Sequence, residues 1–267
     1  MILHAAKLGA VLMALAWGSQ AAIQNKGALL DKYPPAVRKA YESYVKDYQN
    51  AKRLQDFVRV YNTITAQEEN FSAPLQAVWE KFWLASDTRQ SGQAAPVRPD
   101  FDWVDGVFPG MVLGNEAEGT VMILRPSWKE LSKLAQRTID STQDDRFTAL
   151  MLKLHGDTWS GFPNWMEQTW DYGGCSRLGS GKHTTFLKEI QIQIKGGSAF
   201  KETLRTQESY LVRDLLEATE LCHNKADALK ELSQIEKGFS WSTQQKQAFK
   251  KQRQRINSGA VTVMGGN

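Results

Sequence analysis

Apolar positions recur at helical spacing through most of the chain. Val37, Tyr41, Tyr44, Val45 and Tyr48 form one stripe, entered through Pro34-Pro35, where proline is tolerated at a helix start. Leu54, Phe57, Val58, Tyr61 and Ile64 form a second. A third starts at Ser72 with Pro74 in its first turn and puts Leu75, Val78, Trp79, Phe82 and Trp83 on one face. Three such helices with short connections predict an N-terminal helical bundle over residues 23–90.

Gly92, Pro96, Pro99, Gly106, Pro109 and Gly110 then break the rhythm, so residues 91–110 read as a linker or long loop. Apolar runs on either side of Gly114–Gly119 predict one small β-hairpin over about residues 111–124. The rest of the region 111–256 is mainly helical. Ser127 and Glu130 form a capping box, as do Ser242 and Gln245, and Gly156 stands where glycine ends a helix. Residues 183–195 fit either a helix or a strand. Phe200, Leu204, Leu211, Leu215, Ala218 and Cys222 fall on one stripe, which predicts a long helix with Cys222 facing the core. Residues 257–267 read as a flexible tail. The fold class is therefore mainly α, with bundle-like helices, one hairpin and, from the cysteines below, one disulfide.

The N-terminus changes the picture of where this fold operates. Lys7, the apolar run Leu8–Trp17 and the small residues up to Ala21 make the three-part pattern of a secretory signal peptide, residues 1–22, cut near Ala21 or Ala22. The run is shorter than the roughly 20 residues needed to cross a bilayer. No later stretch is long and apolar enough, so no transmembrane span is expected in the mature chain. Two cysteines in an oxidising compartment read as one disulfide, Cys175–Cys222. A metal site from Cys175, His183, Cys222 and His223 has no familiar zinc spacing, and no metal or other cofactor is expected. The net charge of +4 is too mild to imply nucleic acid. The expected location is the periplasm or the exterior.

Short motifs suggest chemistry that their surroundings do not complete. Ser198-Ala199-Phe200-Lys201 has the S-x-x-K spacing of penicillin-binding proteins and serine β-lactamases, but K-T-G and S-D-N are missing. Ser198 is expected to be a helix N-cap. Gly179-Ser180-Gly181-Lys182-His183-Thr184 resembles a phosphate loop, yet Ser176 stands where the first glycine is needed and His183 where the hydroxyl is. It reads as a turn. Asp100, Asp102 and Asp105 imitate a calcium loop whose fifth and twelfth positions are Val104 and Met111. His155, at a helix C-terminus, is placed where the dipole favours a cation.

Two surfaces remain. Trp159, Phe162, Trp165, Trp170 and Tyr172 concentrate aromatic rings around Glu167 and Asp171. Such rings stack on the apolar faces of sugars, and the carboxylates, one helical turn apart, would share a face. Lys246, Lys250, Lys251, Arg253 and Arg255 give the last helix a basic surface suited to weak contact with an anionic surface. With no complete catalytic set, the leading expectation is a non-enzymatic binding or accessory protein of the cell envelope, contacting a glycan, peptidoglycan or protein partner. The rival is a cell-wall glycan hydrolase using Glu167 and Asp171, since glycosidases work with two carboxyl groups.

Overall fold

Helix α1 (Pro35–Asn50) starts at the double proline and buries Tyr41 and Tyr44. The computed structural model describes residues 27–88, 94–104, 106–116, 121–157, 162–169 and 173–264. These cluster into two compact units that divide between Ser141 and Thr142. The segment expected to be a signal peptide, residues 1–22, lies outside the described residues.

In the first unit, α2 (Leu54–Asp87) is a single helix of 34 residues where the pattern predicts two. Pro74 sits inside it, a placement that costs roughly 3 kcal/mol through the lost amide and the clash with the preceding turn. Phe71, Leu75 and Trp79 around it are buried. At roughly 1.5–3 kcal/mol per large apolar side chain, their burial outweighs that cost.

The expected hairpin is present as β1 (Met111–Glu116) and β2 (Val121–Pro126), with Leu113 opposite Leu124. A two-stranded ribbon is marginal alone, and α2 closes its open edge. Ser72 Oγ accepts the Leu124 amide at 2.8 Å and Gln76 Oε1 accepts the Met122 amide at 2.6 Å. Glu68 pairs with Arg125. Four residues of helix rise about 6 Å and two of strand about 6.6 Å, so alternate edge amides meet successive turns of α2. Helix α3 (Trp128–Ala135) follows, with Ser127 Oγ accepting the Glu130 amide at 3.3 Å.

Tyrosines fasten the loop before β1. The Tyr41 hydroxyl donates to the Val107 carbonyl at 2.7 Å, and Tyr44 donates to the Pro109 carbonyl. Gly110, at φ +79°, brings the backbone so close that a Cβ there would stand 2.8 Å from the Tyr48 ring.

The second unit comprises α4 (Gln143–His155), β3 (Met166–Gln168), β4 (Gly174–Ser176), α5 (Lys182–Lys195), α6 (Lys201–Glu217), β5 (Glu220–Leu221), α7 (Lys225–Gly238), α8 (Thr243–Ser258) and β6 (Thr262–Val263). The ambiguous residues 183–195 are helical. A second sheet, absent from the expectation, has the order β3-β4-β5-β6, antiparallel at its first pair and parallel at the next two. The fold is mainly α, with two small sheets rather than one hairpin.

Two local expectations are corrected by this sheet. The predicted long helix stops at Glu217, and Ala218 turns extended, so Cys222 follows a strand instead of lying on a helical stripe. The end of the chain is held as far as Met264: Val261 is buried, and the Thr262 and Met264 amides donate to the Thr219 and Leu221 carbonyls. No helix of the described residues is long and apolar enough to cross a membrane.

Candidate binding edge beside the disulfide

Cys175 on β4 and Cys222 just after β5 form the disulfide, with a Cα separation of 5.3 Å. The Cys222 amide donates to the Ser176 carbonyl at 2.8 Å, so the bond staples neighbouring parallel strands. Everything else at this site is arranged around that staple.

Ser176, next along β4, meets His183 from α5 and Asp214 from α6. Its hydroxyl donates to Asp214 Oδ2 at 2.6 Å and lies 3.4 Å from His183 Nε2, which is itself 2.7 Å from the same carboxylate oxygen. Serine and histidine are fully buried. A nucleophilic relay needs the imidazole to face the serine with one nitrogen and the acid with the other. Here Nε2 faces both, and Nδ1 is buried without a hydrogen-bond partner among the described residues. The cluster ties β4, α5 and α6 together.

The glycine-rich turn in front of α5 is filled from within. Glu231 of α7 accepts the Gly179, Gly181 and Thr184 amides at 2.6, 3.0 and 3.0 Å, and the Thr184 hydroxyl at 3.0 Å. Its carboxylate takes the place a phosphate would occupy at a helix N-terminus. Gly179, at φ +106°, lets this turn lie against α7: a Cβ there would stand 2.9 Å from the Ala228 amide nitrogen.

These buried supports hold a charged edge. Arg177, directly after β4, pairs with the exposed Glu167 of β3 at 3.0 Å. Its Nε is buried and has no hydrogen-bond partner among the described residues. Lys182, at the start of α5, has its ammonium pKa lowered by burial and then by the Arg177 charge, with Glu167 pulling the other way. Arg177 thus pairs with the one exposed carboxylate, and Lys182 feels both charges with no ion pair of its own among the described residues.

Trp165 is buried and packs edge-on to Phe186 with centroids 6.3 Å apart, so it belongs to the core. Phe162 is half-buried, its ring close against Gly174. Glu167 lies on a strand, not on a helical face. Trp159, Trp170, Asp171 and Tyr172 lie outside the described residues. On α8, Lys246, Lys250 and Lys251 are exposed, whereas Arg253 pairs with Glu236 and Arg255 donates to Gln252 Oε1 at 2.7 Å. That division leaves three outward cations. Ser198 is not the N-cap of α6, which begins after Phe200; its hydroxyl accepts the Phe200 amide at 3.2 Å. Asp100 Oδ1 accepts the Asp102 amide at 2.8 Å and so closes a turn.

His155 reverses its expectation: burial lowers its pKa despite the helix end and a 3.0 Å contact with Gln207. Arg177, Asp214 and Glu231 are not singled out by sequence reasoning, and Lys182 enters it only within the incomplete phosphate loop. Glu231 leaves a readable sign, because it falls on the same face of α7 as the buried Ala228, Leu232 and Ile235.

Compared with known protein families, curated proteins and solved structures, the chain matches none.

Proposed function

We propose that the protein is an exported, non-enzymatic binding or accessory protein of the cell envelope, and that its Arg177–Lys182 edge holds an acidic glycan such as peptidoglycan. The observation that carries this reading is the excess of positive charge at Arg177 and Lys182 over the one exposed carboxylate of Glu167, with the half-buried Phe162 ring against Gly174 of the adjoining strand. Carboxylates of the polymer would relieve the repulsion between the two cations, and sugar faces would lie on rings such as Phe162. The leader and the disulfide support export. The three exposed lysines of α8 offer a second, weaker contact to the same kind of anionic material.

Co-sedimentation with isolated peptidoglycan tests the reading. The expected result is binding that weakens with salt and is lost when the polymer's carboxyl groups are chemically amidated. Equal binding to the amidated polymer would remove the charged edge from the account. Zymography on the same material addresses hydrolysis: clearing that disappears in Glu167→Gln would replace the binding role with a catalytic one.

A further inference from the structure

The groove at the C-terminal end of α2 is independent of that edge. Gln76, Glu80, Trp83, Leu84 and Asp87 line it, enclosing about 610 Å³. Large apolar side chains stand open there, Trp83 at 37% and Leu84 at 65% exposure. Among the described residues no cation pairs with Glu80 or Asp87, and the one contact to either carboxylate is Gln76 Nε2 donating to Glu80 Oε1 at 2.9 Å. The same stripe holds β2 lower down, through Glu68, Ser72 and Gln76. Above the hairpin it presents two acids around an apolar floor. The neighbouring aromatic cluster already accepts a guanidinium, since Arg98 sits 5.3 Å over the Trp79 ring.

We propose that this groove docks a basic amphipathic helix of a partner protein. Charge complementarity selects the occupant. Glu80 and Asp87 are seven residues apart, about 10 Å along the axis, which is the spacing of arginines at i and i+7 on a helix laid alongside. Apolar residues at i+3 and i+4 of that helix would cover Trp83 and Leu84, the arrangement of helix-in-groove recognition. A ring beside carboxylates also favours guanidinium, which stacks as well as pairs.

The probe is a fluorescent helical peptide with arginines at i and i+7 and leucines at i+3 and i+4, titrated against the full-length protein by anisotropy. The expected result is binding that weakens at least tenfold in the double variant Glu80→Gln, Asp87→Asn, and at least tenfold in Trp83→Ala. A peptide with glutamate in place of arginine should not bind. Circular dichroism melts matching the parent exclude unfolding of the variants. Unchanged affinity in the double variant, or equal binding of the glutamate peptide, overturns the proposal. So does a peptide-free dimer, seen by sedimentation, that the double variant dissolves, because the occupant would then be a second copy.

Discussion

The Glu231 carboxylate accepts both the amide and the hydroxyl of Thr184 at 3.0 Å from a single oxygen, Oε1. The other oxygen takes the Gly179 and Gly181 amides. One side chain therefore satisfies the start of α5 and fixes the turn that carries Lys182. Glu231→Ala leaves these donors without their acceptor and is expected to cost on the order of 3 kcal/mol, since each buried unsatisfied group costs about 1–3 kcal/mol. Urea denaturation checks it. A loss below about 1 kcal/mol would mean that water replaces the carboxylate without difficulty.

Lowering the pH should destabilise the second unit through His155. Its folded pKa lies below the unfolded value because burial disfavours the imidazolium. The unfolded chain then binds more protons, so stability falls as the pH drops through about 6.5 toward the folded pKa. Melts between pH 7.5 and 5 should show this slope, and His155→Gln should reduce it.

At the other end of the scale, burial pushes Tyr41 up to about 12 and raises Tyr33 and Tyr44 as well. Their contribution is fully present below about pH 10 and is lost as the pH rises toward the folded values. Ultraviolet titration should find these three tyrosines silent until the first unit unfolds.

Reduction of Cys175–Cys222 should lower stability by about 4 kcal/mol on the loop-entropy estimate for its 47-residue separation. The strand pairs β4–β5 and β5–β6 should be the first to lose amide protection in hydrogen exchange.

The helices and the hairpin were legible because their signals are local. Stripes such as Leu75 and Trp79 repeat within a few turns, and the capping box of Ser242 and Gln245 closes within three residues. The second sheet was not legible. Its strands are two or three residues long and pair across long sequence separations, as Leu221 does with Ser176 and Val263, so no period can build up. Pro74 reads as a helix start because the packing that offsets its cost is distant in sequence: Phe71 lies against Tyr33, Tyr41, Tyr44 and Phe108, and Trp79 against Phe101. At the site, the aromatic segment drew attention to itself by composition, yet Trp165 is core. Lys182 was visible only as part of an incomplete phosphate loop, and the residue that fills that loop, Glu231, lies 47 residues beyond Thr184.

Charge reversal at the edge is the most direct measurement. Dissociation constants for isolated peptidoglycan should be determined for the parent protein and for Lys182→Glu, with the melting temperatures of both recorded alongside. At least tenfold weaker binding with an unchanged melt is the predicted result; equal affinity in a folded variant would contradict the assignment of this edge to an acidic polymer.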